Sequence, residues 1–190
     1  MKKTFFNKAV CIILIAAVMS LLLIRAFWIN QVFPPIHSVQ IPRGEHCVYN
    51  GFDMTASSFE IYRLDELFQT DNMQELDRSY YTSLGPLSDS YALFAKLKVK
   101  NNNNTEASIP LYELSLTDGV WHNDFNLSLF QILNADTSII QTMEQGEEIT
   151  VILPYILTKA QFTSARWNQV ESKRYYLDVA VYPEHISLSM

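Results

Sequence analysis

The sequence predicts an all-β fold, because three stretches alternate apolar and polar residues with a period of two. Between Leu93 and Val99 every odd position is apolar, and lysines take the even positions 96 and 98. Residues 149–155 and 174–182 show a similar alternation. Successive side chains of a strand point to opposite faces, so this pattern is typical of strands with one buried and one solvated face.

The first of these stretches is predicted to form a hairpin with the segment that follows it. Four asparagines at 101–104 interrupt the alternation, and asparagine tolerates the backbone angles of turns. A second β-rich run covers residues 107–116 and ends at Asp118-Gly119, another turn signal. The lysines of the first strand are interpreted as its solvated face, in the manner of a sheet edge protected from aggregation.

The remaining predicted elements are short and separated by turn signals. Strands are predicted at 39–43, 46–50, 54–62, 120–122, 127–133, 149–155 and, as the last strand, 174–182. A helical turn is predicted at 64–68 and a polar insertion or long loop at 70–90, while residues 162–170 fit no single state. Seven or eight short strands at this spacing are typical of two packed sheets, so the sequence predicts an antiparallel β-sandwich.

The first thirty residues form a separate segment, an apolar run behind three lysines. Ser20 is the single polar residue in 9–24, and the run continues to residue 29 apart from Arg25. Residues 9–29 would extend about 31 Å as a helix, which matches a hydrocarbon core of about 30 Å. No small-x-small site follows the run, so we predict an uncleaved, single-pass transmembrane helix; a cleaved signal peptide is the alternative.

The chain is therefore predicted to have three parts. Residues 1–29 are the membrane anchor, residues 30–37 a stalk stiffened by Pro34-Pro35, and residues 38–190 an extracellular β-sandwich domain. The N-terminal lysines favour a cytoplasmic N-terminus, which places the C-terminal domain outside the cell membrane.

Charge and cysteine content restrict the partners of the outer domain. Four of the 14 basic residues lie in the anchor, so ten remain against all 20 acidic residues. This excess of negative charge argues against nucleic acid and anionic lipid as partners. Cys11 lies in the anchor and Cys47 stands alone outside it, which leaves no pair for a disulfide within the outer domain.

Several segments together resemble a known class of domains. The strand LKVKN at 97–101, a strand running to DG at 118–119, and a QGE turn at 145–147 before VILPY at 151–155 are similar to immunoglobulin-like domains of Gram-positive surface proteins. The resemblance implies one sandwich behind an N-terminal membrane or lipid anchor, and a domain of unknown function. The Cys-Trp-Cys core of antibody-type domains is missing from the sequence.

The sequence contains no recognisable catalytic or metal-binding motif. The histidines His37, His46, His122 and His185 are scattered, and the acidic runs at 65–66, 71–77 and 144–148 do not match a calcium loop. Serines occur without a GxSxG elbow or a Ser/His/Asp order that stands out, and Cys47 is interpreted as a resting thiol. We therefore predict no catalytic, cofactor-binding or metal-binding residue, and no cofactor.

Four aromatic residues are candidates for lining a groove, namely Tyr80, Tyr81, Trp121 and Trp167. Packing in the core or at its rim is the preferred interpretation for each.

Two functions follow from these observations. The first is a non-enzymatic, membrane-anchored extracytoplasmic binding or accessory module, held through residues 9–29, with a protein or cell-envelope partner. The alternative is a membrane-tethered hydrolase acting on cell-wall or glycan material. A pair of carboxylates about 5–10 Å apart in an aromatic cleft would favour the hydrolase.

Overall fold

The computed structural model describes residues 2–32, 36–70, 73, 76–119 and 121–190. The chain divides into two compact units, Met1–His37 and Ser38–Met190. The first unit contains helix α1 (Lys2–Val32), which confirms that residues 9–29 are helical. None of the helices in the described parts of the chain combines the length and apolar character that a membrane crossing requires. The transmembrane anchor stays a prediction, and Pro34-Pro35 of the predicted stalk lie outside the described residues.

The second unit is built mainly from β-strands in two large sheets and one small one. The five-stranded sheet has the order β1 (His37–Ile41), β11 (Glu184–Ser189), β10 (Tyr176–Ala180), β6 (Ser115–Thr117) and β7 (His122–Asp124). The four-stranded sheet has the order β2 (Cys47–Tyr49), β3 (Phe52–Arg63), β4 (Ser90–Asn101) and β9 (Glu148–Thr158). The small sheet pairs β5 (Ala107–Pro110) with β8 (Ile140–Met143). The helices of this unit are α2 (Leu64–Leu67), α3 (Arg78–Ser83), α4 (Leu127–Leu133) and α5 (Ser164–Trp167).

The two large sheets share one hydrophobic core between their inner faces. Leu97 of β4 and Leu177 of β10 are fully buried members of it. The Tyr155 hydroxyl donates a hydrogen bond of 3.0 Å to the Leu114 carbonyl within this core. The predicted sandwich is confirmed, but its strand order is not the immunoglobulin order, because the four-stranded sheet sets three consecutive strands side by side.

Strand β4 lies in the interior of its sheet, between β3 and β9. Its odd residues from Leu93 to Val99 are buried and its lysines are exposed, so the predicted faces are correct. The predicted hairpin is wrong, since β5 pairs with β8 and β6 pairs with β10 and β7. The predicted position of β4 at a sheet edge is also wrong, because β4 pairs with β3 on one side and with β9 on the other.

The asparagines at 101–104 do not form the turn of a hairpin between β4 and β5. Asn101 is buried, and its side-chain amide donates hydrogen bonds to the carbonyls of Thr105, Met143 and Glu144. These bonds hold the connection after β4 against the β8–β9 turn, so the chain leaves the four-stranded sheet and does not fold back on it.

Two other predicted elements need correction. Residues 127–133 form helix α4 and not a strand, because the Asn126 side chain caps it by accepting a 3.0 Å hydrogen bond from the Leu129 N–H. The strand at 174–182 is confirmed in its central part as β10, but it is not the last one, since β11 follows Pro183. Val181 continues the apolar alternation but is 63% exposed, because the strand ends at Ala180.

The segment at 70–90 is not the simple polar loop that the sequence predicts. It contains α3 and contributes apolar residues to a second cluster on the outer face of the four-stranded sheet. The buried members of this cluster are Leu64, Leu67, Met73, Leu76, Tyr81, Leu87, Ala92, Leu129 and Ile156. Both faces of the four-stranded sheet therefore carry buried apolar residues.

The outer edge of β9, on the side away from β4, is hydrogen-bonded to asparagines from the segment before it. The Asn134 side chain donates to the Ile152 carbonyl and accepts from the Ile152 N–H, both at 2.8 Å. The Asn126 N–H donates to the Pro154 carbonyl, and the Asn123 amide donates to that of Ile156. Pro154 has no N–H to satisfy, which suits its place in β9, the end strand of the sheet.

Candidate functional site on the five-stranded sheet

The outer face of the five-stranded sheet carries polar side chains from three neighbouring strands, β1, β11 and β10. Strand alternation sends Leu177 and Leu188 into the core, and it sends their neighbours Asp178 and Ser187 to the opposite face. Asp178 and Ser187 are directly paired across β10 and β11. Hydroxyl, imidazole and carboxyl side chains lie together on this face.

Three of these side chains form a hydrogen-bonded row, which we call the polar row: Ser38, His185 and Asp178. His185 Nε2 lies 2.9 Å from Asp178 Oδ1, and His185 Nδ1 lies 3.3 Å from Ser38 Oγ. Ser38 is exposed, whereas the Asp178 side chain is only 11% exposed. Burial raises the pKa of Asp178, and the hydrogen bond and charge of His185 offset part of that effect.

The polar row was missed in the sequence because it depends on a strand that the pattern analysis did not identify. His185 belongs to β11, whose apolar residues Ile186 and Leu188 alternate with His185 and Ser187. That period of two was available as a signal after Pro183. What the sequence does not show is that β1, from the other end of the domain, lies beside β11.

An open pocket of about 410 Å³ lies at the other end of the same three strands. Its polar lining consists of Gln40, Arg43, Arg174, Tyr176 and Ser189, and we call it the arginine pocket. Gln40 follows Ser38 by two residues on β1, and Tyr176 precedes Asp178 by two on β10. The arginine pocket and the polar row are therefore parts of one face.

Local hydrogen bonds hold Arg43 in place. Gly44 has a φ of 80°, which glycine adopts without steric cost, and its N–H donates a 3.1 Å hydrogen bond to Ala56 in β3. The Glu45 N–H closes the turn on the Pro42 carbonyl at 3.1 Å. Arg43 Nε donates to the Ser57 carbonyl at 3.2 Å. The guanidinium is thus held through Nε, and within the described residues its two Nη groups have no recorded hydrogen bond.

The other predicted candidates lie apart from this face or have structural partners. His46 contacts Asp53 at 2.9 Å on an exposed surface. Cys47 is buried, and burial, with a smaller effect of the Asp53 charge, raises the pKa of its thiol. A raised pKa favours the protonated thiol, and the buried position of Cys47 agrees with the predicted buried thiol.

The aromatic candidates mostly pack, as predicted. Tyr81 is buried and donates a 2.7 Å hydrogen bond to Asn126. Trp121 packs against Phe162, and Trp167 against Tyr91. Tyr80 is 49% exposed and lines a separate pocket of about 280 Å³ that also contains Asp124.

The acidic runs have local partners where the structure describes them. Asp65 pairs with Arg63 at 3.1 Å, and the Asp77 side chain accepts from the Ser79 N–H at the start of α3. Asp71 and Glu75 lie outside the described residues. In the described part of the chain no group of histidine, cysteine and acidic side chains is arranged to hold a metal. The arginine pocket and three further pockets are each lined by at most one carboxylate.

The fold and this face define a mostly-β, two-sheet domain with a polar outer surface. Residues 45–186 match the family described as Domain of unknown function (DUF5028), and the chain belongs to that family. The predicted β-sandwich domain of unknown function is therefore confirmed. A search of curated proteins gave no match.

Solved structures that are similar to this chain share little of its sequence. A functionally unknown protein from Listeria monocytogenes EGD-e has a TM-score of 0.51 and 9% identity, over 78% of this chain and 82% of that one. A conserved hypothetical protein from Bacillus anthracis has a TM-score of 0.49 and 12% identity, over 77% and 94%. An uncharacterized beta-sandwich protein from Clostridium difficile 630 has a TM-score of 0.45 and 9% identity, over 82% and 96%. The likeness to the Listeria protein shows a shared fold alone.

Proposed function

We propose that residues 38–190 form a non-enzymatic binding module, held at the outer face of the cell membrane by residues 9–29, which binds its ligand on the outer face of the five-stranded sheet. The observation that carries the proposal is the arginine pocket. Its volume of about 410 Å³ lies within the range of roughly 300–1,000 Å³ typical of small-ligand sites, and five polar side chains converge on it.

Site-specific photocrosslinking tests whether this face binds a partner in cells. A benzophenone amino acid replaces Gln40 in the arginine pocket of the full chain, and cells that produce it are irradiated. We expect an adduct from position 40 and none from Lys100, an exposed control on the outer face of β4. Equal labelling from both positions, or none from position 40, contradicts the proposed binding face.

The membrane location rests on the apolar run at 9–29 behind three lysines. We expect the full chain to remain in membranes after alkaline extraction, with residues 38–190 accessible to protease added outside intact cells. Intact-mass measurement of the membrane-derived protein should include Met1–Ile29. A mature chain that begins within residues 24–40 contradicts the anchor and leaves the binding face untouched.

The polar row favours a second candidate function, an acyl-transfer hydrolase. In such an enzyme, Ser38 Oγ would attack an acyl carbon while its proton passes to His185 Nδ1, and His185 would then protonate the leaving group. Asp178 would hold the other ring nitrogen and stabilise the imidazolium. Water would repeat the transfer and release the acid and Ser38.

A serine-directed fluorophosphonate probe separates the two candidate functions. Labelling of the full chain that disappears in Ser38→Ala, and persists in the control Ser108→Ala on β5, would establish the hydrolase. The binding module predicts no labelling at Ser38 above the level of the Ala variant.

A further inference from the structure

We infer that the arginine pocket binds a phosphate group between Arg43 and Arg174, which names the ligand class and rests on the proposed binding function. The two guanidinium groups line one pocket whose remaining polar side chains, Gln40, Tyr176 and Ser189, can all donate hydrogen bonds. No aspartate or glutamate side chain lines the pocket.

Two of the outer-domain cations that have no ion pair among the described residues, Arg43 and Arg174, line the same pocket. In the outer domain, basic residues are outnumbered two to one by acids, and five of the ten have a carboxylate within 4 Å. The paired cations are Arg63, Lys98, Lys159, Arg166 and Lys173. Arg78 lies over the Phe68 ring at 5.9 Å. Among the described residues, Arg43 and Arg174 have no acidic partner, although acids are in excess.

Two lysines also lack an ion pair in the described chain, and their location differs from that of the two arginines. Lys96 and Lys100 lie on the outer face of β4 and do not line the arginine pocket. An unpaired cation alone is ordinary surface chemistry. Two unpaired arginines that meet in one pocket form a local positive field, which attracts an anion.

The backbone around each arginine is held before any ligand binds. Arg43 sits in the turn bonded to Ala56 and Ser57 of β3. Arg174 directly precedes Tyr175, which is fully buried. The Tyr175 hydroxyl donates to the Val170 carbonyl at 2.8 Å, and the Tyr175 carbonyl accepts from the Met190 N–H at 3.0 Å. A backbone that is already held reduces the conformational entropy lost when the two side chains bind an anion.

Charge and acceptor number favour phosphate over carboxylate. A phosphate monoester carries a charge of about −1.5 to −2 near pH 7 and presents three strong acceptor oxygens. Two guanidinium groups match that charge, and the five polar side chains supply more donors than the two oxygens of one carboxylate can accept.

Titration of the full chain in detergent micelles at constant ionic strength tests the inference. The probes are inorganic phosphate, glycerol phosphate, a short-chain phosphatidate, and acetate as the carboxylate. We expect saturable phosphate binding that weakens at least about tenfold in Arg43→Ala and in Arg174→Ala. Lys100→Ala is the matched control and should bind phosphate as the wild type does. The tighter of the two esters identifies a soluble ester or a lipid headgroup as the source, and binding of either supports the inference.

Three results would overturn the phosphate site: no saturable phosphate binding, equal weakening in Lys100→Ala, or acetate binding as tight as phosphate binding. The crosslinking experiment at position 40 keeps this failure separate from that of the proposed function. An adduct that forms equally well in the Arg43→Ala/Arg174→Ala background shows that the face binds a partner without recognising phosphate.

Discussion

The outer faces of the two large sheets differ in what covers them. The face of the four-stranded sheet packs against α2, α3 and α4, and it buries Tyr81 and Leu129 in a second apolar cluster. The corresponding face of the five-stranded sheet presents the polar row and the arginine pocket. The strands differ too, since β3 and β4 have 12 residues each and the strands of the five-stranded sheet have three to six. The four-stranded sheet thus carries most of the packing, and the five-stranded sheet carries the groups available for recognition.

The largest effect is expected in the four-stranded sheet, at its interior strand β4. Leu97→Ala removes a fully buried side chain and should lower the free energy of unfolding by about 2–5 kcal/mol. Lys98→Ala, on the exposed face one residue further, should cost less than about 1 kcal/mol. Denaturant unfolding of both variants measures the contrast. Equal losses would mean that the two faces of β4 are not distinguished as the structure has them.

A smaller loss is expected where Asn134 bonds the edge of β9. Asn134→Ala leaves the N–H and carbonyl of Ile152 without their side-chain partners, and it should cost about 1–3 kcal/mol. The exposed Asn104, replaced by Ala, serves as the control and should change stability by less than about 0.5 kcal/mol. If both variants unfold at the same denaturant concentration, the asparagine contacts do not stabilise this edge.

On the five-stranded sheet, Asp178 is expected to make stability depend on pH. Because its pKa in the folded state is raised, chiefly by burial, its contribution is fully present below the unfolded pKa of about 3.9 and is lost as the pH rises through the folded pKa. Asp178→Asn removes this loss. The stability of the variant relative to the wild type should therefore increase as the pH rises from below 4 towards neutrality, as measured by urea unfolding across that range. A difference that stays flat or falls with pH would contradict the raised pKa.

The smallest effect on stability is expected in the arginine pocket. Arg174→Ala should change the free energy of unfolding by no more than about 0.5 kcal/mol, because the exposed side chain has no ion pair among the described residues. Phosphate affinity should fall at least about tenfold in the same protein, as measured by titration. A variant that loses stability and affinity together would place Arg174 in the packing of the domain and not in a binding surface.

Local sequence patterns predict the all-β class, the helical state of residues 9–29 and the two faces of β4. Each of these depends on local periodicity: an unbroken apolar run for the helix, and alternation of leucines with lysines for the strand. The burial of Cys47 and the packing of Tyr81, Trp121 and Trp167 also agree with the prediction, since buried thiols and aromatic rings are common in cores.

Which strands are neighbours, and therefore where the candidate site lies, depends on contacts between distant parts of the chain. Local alternation is the same whether β4 pairs with β5 or with β3 and β9, so the predicted hairpin was consistent with the sequence and still wrong. Ser38 and His185 are brought within 3.3 Å although most of the domain separates them along the chain. Arg43 and Arg174 share a pocket for the same reason. Such contacts arise from the packing of whole strands around one core, and no period within a single segment encodes them.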